Sequence, residues 1–256
     1  MGARWLIPDW PAPAAVRALS TFRGGGVSTG RYESLNLGDH VGDAPAAVAE
    51  NRRRLRVAAR LPGEPVWLRQ VHGVSIADLD RSASGETGVA EPADGSVTRR
   101  ASRICAILTA DCLPILLAAE SGQAVGAVHA GWRGLAAGVL EAAVRSLGEP
   151  PASILAWLGP AIGPRRFEVG PEVREAFLQG DPGAGDRFER GSGDRYLADL
   201  AGLARRRLER LGVKSIHGAG ECTHELGNRY FSHRRDGETG RQATLVWLAE
   251  NNASGT

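Results

Sequence analysis

Short apolar runs bounded by turn-forming residues are the clearest pattern along this chain, and runs of this kind predict β-strands. They lie at residues 65–73, 94–98, 104–109, 113–119, 124–130, 154–159 and 243–249. Only four residues, 120–123, separate the runs at 113–119 and 124–130. These two strands are therefore predicted to pair as a β-hairpin.

Other segments carry apolar residues at helical spacing. They predict helices at residues 43–59, 135–147, 171–180 and 197–211. The first helix is predicted to begin at an N-cap, Asp43, with Pro45 in its first turn and with Val48 and Leu55 on its inward face. The other three are predicted to end at glycines, namely Gly148, Gly180 and Gly212. The segment 181–194, rich in Gly, Asp and Arg, is interpreted as a mobile loop.

The order of these elements indicates the fold class. Strands and helices are mixed without the regular alternation of a doubly wound sheet, which predicts an α+β fold with mixed sheets flanked by helices. Neither a repeat of solenoid period nor a low-complexity linker divides the sequence, so one domain over residues 1–256 is expected. It begins with an extended start at 1–20 and ends with a polar tail at 250–256.

Composition and charge exclude several classes of protein. Hydrophobic residues make up 43% and charged residues 23% of the chain, which excludes disordered and fibrous architectures. The net charge of +2, without a block of like charge, gives no reason to expect a nucleic-acid or membrane partner. Three widely spaced cysteines and a first segment, MGARWLIPDW, that lacks the features of a signal peptide predict a cytoplasmic protein with reduced thiols.

Two histidines and a cysteine lie where apolar runs end. His72 belongs to QVHG, His129 to AVHAGWRG, and Cys112 follows Asp111 in TADCLP. If the hairpin turn is centred on residues 121–122, Cys112 and His129 become diagonal neighbours on one face of the sheet, roughly 7–8 Å apart. A register shifted by one residue would place them on opposite faces.

A thiolate and two imidazoles suit a zinc ion, and three protein ligands leave the fourth tetrahedral position open. A water at that position has its pKa lowered to about 7, and Asp111 is the nearest candidate to orient it. The residues alone leave other interpretations open. Cys112 also fits an inert buried thiol, or a nucleophile with His129 as its base, and His72 also fits a structural histidine.

Two further segments are candidates for binding an anion. The glycine-rich segment 21–30 could bring backbone N–H groups close to a ligand, although it lacks the Lys followed by Ser or Thr of a P-loop. The segment 231–241 concentrates Arg234, Arg235 and Arg241 among turn residues, which could clamp a phosphate. The alternative for this second segment is a solvated turn.

Several motifs together resemble one family, the YfiH-like laccase-domain or "polyphenol oxidase" family, now regarded as purine nucleoside phosphorylases. The motifs are FRGGGVSTGRYESLNLGDHVGD, ENR, LRQVHG, ADGSVT, TADCLPILL, AVHAGWRG, LGPAIGPRRFEVG and ECTHELGNRYFSHRRDGETGR. They cover most of the chain from Phe22 to Arg241, in the family's order. The resemblance implies an α/β/β/α layered fold and a metal site with His72, Cys112 and His129 as ligands. The metal is usually given as zinc, and older laccase assignments claim copper.

The activities that the resemblance implies are phosphorolysis of adenosine, inosine, guanosine and methylthioadenosine, and hydrolytic deamination of adenosine. The implied partners are therefore purine nucleosides and phosphate. The candidate catalytic residues are Cys112, His129, His72 and Asp111. The candidates for binding the phosphate are Arg23, Arg133, Arg234 and Arg235. Asn36 carries both a donor and an acceptor for a base or ribose edge.

Rival functions and departures from the family pattern complete the expectations. One rival is an amide hydrolase that uses Cys112 and His129 and edits peptidoglycan precursors, a role also attached to this family. Another is a binding protein with a structural metal. A polyphenol oxidase is discounted, because three ligands with a single cysteine are too few for a multicopper array.

Arg165, Arg166 and His233 replace residues that are common in the family, and the replacements alter the expected pocket.

Overall fold

The computed structural model describes residues 5–81, 92–101 and 103–250. The strands, in chain order, are β1 (Trp5–Leu6), β2 (Val16–Thr21), β3 (Ile76–Asp78), β4 (Gly95–Thr98), β5 (Ile104–Thr109), β6 (Leu113–Ala119), β7 (Val125–Ala130), β8 (Ile154–Leu158), β9 (Glu168–Val169), β10 (Phe188–Arg190), β11 (Tyr196–Ala198), β12 (Ser215–Gly218) and β13 (Gln242–Leu248). The α-helices are α1 (Pro45–Ala58), α2 (Trp132–Ala137), α3 (Val139–Leu147), α4 (Pro171–Gly180), α5 (Leu200–Arg210) and α6 (His233–Asp236). Short 3-10 helices lie at Gly30–Tyr32, Pro151–Ser153 and Pro182–Arg187.

Two large sheets form the centre of the fold. One has four strands in the order β1-β2-β13-β5 and is antiparallel throughout. The other has six strands in the order β12-β8-β6-β7-β4-β3, and only its outermost pairs, β12 with β8 and β3 with β4, are parallel. A small sheet of β10, β11 and β9 lies apart from these two.

The alternation of side chains along the strands builds three layers of core. Along β6, Ile115 and Leu117 face a cluster that includes residues of α2, α3, α4 and α5, whereas Leu116 faces the cluster between the two large sheets. Along β5, Ile107 faces the space between the sheets and Leu108 faces a third cluster that includes Leu55 of α1. The order is therefore α1, four-stranded sheet, six-stranded sheet, helices. The expected α+β fold with mixed sheets flanked by helices is confirmed.

The hairpin of β6 and β7 has the predicted register. Leu113 pairs with Ala130 and Pro114 with His129, and the turn contains Gly122 with φ +69°. Continuing this pairing places Cys112 opposite Gly131, so Cys112 and His129 lie diagonally on one face of the sheet. That face looks toward the four-stranded sheet.

The predicted strand at 65–73 is wrong. The segment has only isolated bridge positions, at Val66 and Trp67, and Val66 pairs with Cys105. Further along, the side-chain amide of Gln70 takes the place of strand pairing: it donates to the Leu108 carbonyl and accepts from the Leu108 N–H, both at 2.8 Å. Beyond it the backbone turns away, because His72 has φ +60°.

Three predicted helix boundaries are also corrected. Helix α1 is capped at Ala44, because Asp43 instead accepts hydrogen bonds from Ser28 and Asn36. The predicted helix at 135–147 is two helices, broken at Gly138 with φ +102°. The predicted helix at 197–211 begins only after Asp199, whose carboxylate caps Gly202 N–H at 2.8 Å.

The predicted loop at 181–194 contains regular structure. A 3-10 helix, Pro182–Arg187, leads into β10, which pairs with β11. Asp181 anchors the segment through ion pairs with Arg206 and Arg210. None of the helices in the described ranges combines the length and the apolar character needed to cross a membrane. The single domain stays a prediction, and most of the predicted polar tail, residues 251–256, lies outside the described residues.

Candidate functional site

The site lies where the chain crosses from one large sheet to the other. Strand β5 ends at Thr109 in the four-stranded sheet, and β6 begins at Leu113 in the six-stranded sheet. The crossover contains Asp111, with φ +94°, and Cys112. A positive φ is rare for residues other than glycine, and such conformations persist where the surrounding structure enforces them. The sharp turn at Asp111 directs the neighbouring Cys112 to the open end of the space between the sheets.

The structure brings His72, Cys112 and His129 together. Each offers one ligand atom, and these atoms all lie within 4.8 Å of one another. The Cys112 Sγ and His72 Nε2 are 3.7 Å apart, and the two imidazole ring centroids are 4.7 Å apart. His129 is 3% exposed, whereas His72 is exposed at the rim. The cluster therefore has a buried wall and one side open to a ligand.

Asp94 is a member of the candidate site that sequence reasoning missed. Its side chain is fully buried, and its Oδ1 accepts a hydrogen bond of 2.8 Å from His129 Nδ1. The same carboxylate accepts the backbone N–H groups of Val71, His72 and Gly73 at 2.6 to 3.2 Å. One side chain thus orients both histidines, one through its ring and the other through its backbone. The available signal was its position immediately before β4, which pairs with the strand that carries His129.

The charges of Cys112 and His129 shift each other's pKa values. Burial raises the pKa of the Cys112 thiol, but the charge of His129 and hydrogen bonds from His129 and His72 outweigh burial and lower that pKa to about 6. Burial lowers the pKa of His129, but the Cys112 thiolate and Asp94 outweigh it and raise that pKa to about 9. Burial also raises the pKa of Asp94, yet hydrogen bonds from His129 and Gly73 hold it below its ordinary value. Cys112 and His129 therefore form a thiolate beside an imidazolium.

The donor set and its spacing fit a metal ion. Tetrahedral zinc at bond lengths of about 2.3 Å to sulfur and about 2.0 Å to nitrogen places its ligand atoms about 3.5 Å apart, close to the 3.7 Å between Cys112 and His72. Because Asp94 occupies His129 Nδ1, the Nε2 atom of that ring is free to bind. A metal would take the place of the imidazolium proton. The His72, Cys112 and His129 group can therefore bind a metal.

Gly131 leaves the space that the cluster occupies. A Cβ at this position would lie 2.7 Å from His72 Cδ2 and 3.1 Å from Cys112 Sγ. The backbone of Gly131, with φ −68° and ψ 158°, is one that alanine adopts freely. Contact with the cluster is thus the reason that a side chain does not fit.

Replacing Gly131 with alanine is expected to weaken metal binding roughly 10-fold, because displacing one ligand ring spoils a geometry that tolerates only about 0.5 Å. Competition with a chromophoric chelator measures the affinity. Gly220→Ala is the matched control, since a Cβ there meets nothing within 4 Å. Equal affinities in the two variants would contradict the assigned geometry.

Asp111 holds the loops around the cluster. Its Oδ1 accepts a hydrogen bond of 2.7 Å from the Thr223 hydroxyl, and its Oδ2 accepts the Arg234 backbone N–H at 2.6 Å. Asp111 is only 8% exposed, and each of its two carboxylate oxygens accepts one of these hydrogen bonds. The carboxylate therefore joins segments that are more than 100 residues apart in the chain to the residue beside Cys112.

The four arginines predicted to bind phosphate differ in how far their guanidinium groups are already engaged. Arg235 donates to the carbonyls of Thr223, His224 and Tyr230 and forms an ion pair with Asp236. Arg23 donates to two carbonyls and stacks on Phe231 at 4.7 Å. Arg234 donates to the Glu168 carbonyl. Arg133 is exposed and lies 4.5 Å over the Trp132 ring.

Asn36, predicted to bind the base or ribose, is fully buried. Its amide nitrogen donates to the Gly38 carbonyl and to Asp43, and its oxygen accepts the N–H groups of Gly38 and Arg241. All four of its hydrogen-bonding positions are thus used within the chain. In this structure Asn36 joins the SLNLG segment to the residue that precedes β13.

The residues that depart from the expected pattern lie around this region. Arg165 and Arg166 both form ion pairs with Glu225. His233 begins α6, and its Nδ1 lies 2.7 Å from the Gly237 carbonyl oxygen. These side chains therefore contact the loops that follow β8 and β12, and none of them belongs to the metal-binding group.

Comparison with known proteins gives consistent results. Residues 17–249 match the family described as multi-copper polyphenol oxidoreductase laccase. The chain is 50% identical to the Escherichia coli protein named purine nucleoside phosphorylase YfiH, covering 96% of this chain and 99% of that one. It is 53% identical to a purine nucleoside phosphorylase of Pseudomonas aeruginosa, with the same coverage.

Solved structures also resemble it. The crystal structure of Neisseria meningitidis protein NMB0706 has a TM-score of 0.91 and 46% identity, covering 96% of this chain and 100% of that chain. YlmD from Geobacillus stearothermophilus also has a TM-score of 0.91, with 34% identity and 98% of each chain covered.

Proposed function

The chain belongs to the multi-copper polyphenol oxidoreductase laccase family, and from this premise, together with the names of its relatives, we propose that it is a zinc-dependent purine nucleoside phosphorylase that also deaminates adenosine. The observation that carries the proposal is the group of His72, Cys112 and His129, whose ligand atoms lie within 4.8 Å of one another with one side open. Relatives about half identical to this chain are named purine nucleoside phosphorylases. The proposed substrates are adenosine, inosine, guanosine and methylthioadenosine, together with phosphate.

Phosphorolysis sets clear demands on the protein. A phosphate oxygen forms a bond to the anomeric carbon of the ribose while the bond from that carbon to the purine nitrogen breaks. The purine leaves with the bonding electron pair and takes up a proton. The protein must hold the phosphate anion, stabilise positive charge on the sugar and exclude water as a competing nucleophile.

Several residues around the cluster suit these tasks. The Asp111 carboxylate, held by Thr223 and the Arg234 backbone, is a fixed negative charge that can stabilise a developing positive charge on the ribose. Arg133, with its exposed guanidinium beside the turn that follows His129, is a candidate for attracting the phosphate. Arg23, Arg234 and Arg235 are proposed to shape the surrounding loops and to add positive charge.

The metal is proposed to be zinc, held by His72, Cys112 and His129. When bound, zinc would supply a Lewis acid and, for deamination, the activation of a water molecule. The same donors also suit copper. Oxidase chemistry by an array of copper ions is not proposed, since His72, Cys112 and His129 are the single metal-binding group found among the described residues.

The described cysteines, Cys105, Cys112 and Cys222, are all free thiols. Free thiols are typical of a reducing compartment. We place the enzyme in the cytoplasm, where purine nucleosides and phosphate are available as substrates.

The zinc-loaded protein is expected to release adenine from adenosine only when phosphate is present, with ribose 1-phosphate as the second product. Chromatography of the bases and nucleosides measures the reaction. Inosine or hypoxanthine among the products would show deamination. Sulfate in place of phosphate is the control, because it has a similar shape and charge but is a much poorer nucleophile. Absence of free base from every purine nucleoside in the presence of phosphate would refute the proposal.

A second candidate function rests on one specific observation. Cys112, His129 and Asp94 stand in the order of a nucleophile, its base and an orienting carboxylate. This arrangement is also that of an amide hydrolase, which needs no metal. In such an enzyme His72 would be dispensable for the chemistry, so a variant of His72 separates the two candidates.

A further inference from the structure

Arg241 lies beside the metal-binding group because of the pairing between two strands. Strand β13 pairs antiparallel with β5, and the last pair joins Gln242 to Thr109. Continuing the same register by one residue places Arg241 opposite Ala110. Arg241 therefore lies at the end of the sheet where the crossover with Asp111 and Cys112 begins. The chain segment that follows α6 thus returns directly to the crossover that carries the metal ligand.

The backbone and side chain of Arg241 are held in place. Its N–H donates to the buried Asn36 Oδ1 at 2.9 Å, and its carbonyl accepts from Leu37 N–H at 3.1 Å. Its Nη1 donates to the carbonyls of Thr239 and Gly240 at 2.8 and 3.0 Å. The aliphatic part of the side chain packs on Gly38, where a Cβ would lie 2.8 Å from Arg241 Cγ. A guanidinium fixed in this way loses little further freedom when it binds a ligand.

Neutral carbonyls hold this cation, and no ion pair balances it in the described parts of the chain. Two other partly buried arginines do have carboxylate partners: Arg52 pairs with Asp39 at 3.2 Å and Arg206 pairs with Asp181 at 2.5 Å. The Asp111 oxygens near Arg241 are used by Thr223 and Arg234. A half-buried guanidinium that forms no ion pair of its own is available to bind an anionic ligand.

The charges of Cys112 and Asp111 act on Arg241, which agrees with its position near the crossover. Burial lowers the pKa of the Arg241 guanidinium, while the charges of Cys112 and Asp111 oppose that effect. Both groups are therefore near enough for their charges to act on Arg241. With Nη1 engaged by carbonyls, Nε and Nη2 form the unused edge of the guanidinium in the described structure. Two parallel N–H donors along that edge match two oxygens of a phosphate.

We propose that Arg241 is the main ligand of the inorganic phosphate co-substrate, binding two of its oxygens beside the metal, and that Asn36 positions it. This inference rests on the proposed phosphorylase function and names the residue that holds its nucleophile. It also separates Arg241 from Arg235, whose guanidinium is already bonded to three carbonyls and to Asp236.

The test measures phosphate binding and turnover separately, on the zinc-loaded full-length chain. Titration calorimetry with inorganic phosphate gives the dissociation constant, and adenosine phosphorolysis gives the KM for phosphate. In Arg241→Gln both are expected to rise roughly 10- to 100-fold, the usual effect of losing hydrogen bonds to a charged group. The zinc content stays unchanged. Arg241→Lys keeps the positive charge but lacks the paired donors. Its dissociation constant and its KM for phosphate are therefore expected to lie between those of the wild type and of Arg241→Gln.

Arg145→Gln is the control for loss of one positive charge, because Arg145 is exposed on α3 and has no role in the site. It should leave the affinity for phosphate unchanged. Wild-type affinity for phosphate in both Arg241 variants would overturn the proposal. If Arg241→Gln fails to fold, wild-type affinity for phosphate in Arg241→Lys alone would overturn it. Adenosine monophosphate provides the second arm: a wild-type protein that binds it but not inorganic phosphate also overturns the proposal. A wild-type protein that binds phosphate through Arg241 yet splits no purine nucleoside would refute the phosphorylase function alone.

Discussion

Replacing Cys112 with alanine is expected to remove the bound metal and phosphorolysis together. Cys112 supplies the one sulfur of the three-residue group, and two histidines alone form a weak site. Without the Lewis acid, kcat/KM should fall at least about 1000-fold, since this contribution is worth several kcal/mol. Elemental analysis of the purified protein and the rate of adenine release measure the two effects.

Cys222→Ala is the matched control for this variant. Cys222 is a free, half-buried thiol whose Sγ accepts a hydrogen bond from Gly163 N–H at 3.2 Å. The Cys222→Ala variant should keep both the metal and the phosphorylase activity. Turnover by a metal-free Cys112→Ala protein would contradict the assignment of the site.

His72→Ala distinguishes the phosphorylase from the amide hydrolase. In the phosphorylase this variant loses a metal ligand and with it the activity, as Cys112→Ala does. In a hydrolase built on Cys112 and His129, the nucleophile and its base survive. Amide cleavage that persists in His72→Ala without metal would therefore favour the second candidate.

Removing the Asp94 carboxylate is expected to have the largest effect on stability. In Asp94→Ala the N–H groups of Val71, His72 and Gly73 lose their acceptor, and His129 loses its buried partner. Breaking a buried pair of this kind costs about 3 to 5 kcal/mol of unfolding free energy. In Asp94→Asn the shape is kept, and metal affinity should fall by about 10- to 100-fold. Urea denaturation and metal titration measure these effects.

The effect of Asp94 on stability should depend on pH in a defined direction. Hydrogen bonds hold the pKa of folded Asp94 below its ordinary value despite burial. Its contribution is therefore fully present above the unfolded pKa, about 3.9, and is lost as the pH falls through the folded pKa. The difference in unfolding free energy between the wild type and Asp94→Asn should shrink below about pH 4. Asp194→Asn, at an exposed position, is the control for loss of a surface carboxylate.

The predictions for the central strands, which depend on local sequence, were accurate. Strands at 104–109 and 113–119 have their predicted bounds, and the four-residue turn between β6 and β7 imposes the expected register. Turn length and alternation act between neighbouring residues, so they can be read without knowing the rest of the fold. That register is the reason that Cys112 and His129 could be placed on one face in advance.

The error at 65–73 arose where distant residues replaced local pairing. Val66 and Leu68 are buried as in a strand, yet Val71 is 53% exposed, because Asp94 draws the backbone of 71–73 away from β5. The same carboxylate is the missing member of the site. Its importance depends on contacts with residues more than 20 positions away in the chain. Such contacts leave no trace in a local pattern.

The sequence by itself thus determined the mixed fold, the central hairpin and the set of residues that can bind a metal. Only the tertiary structure decided how those residues are held. Pairing of β13 with β5 in the four-stranded sheet places Arg241 at the end of the strand that leads to Cys112. Burial of Asp94 lets its carboxylate bond both to the His129 ring and to the His72 backbone. The physical reason is that burial and electrostatic pairing depend on which distant segments share a space, whereas periodicity and turn length depend only on neighbours.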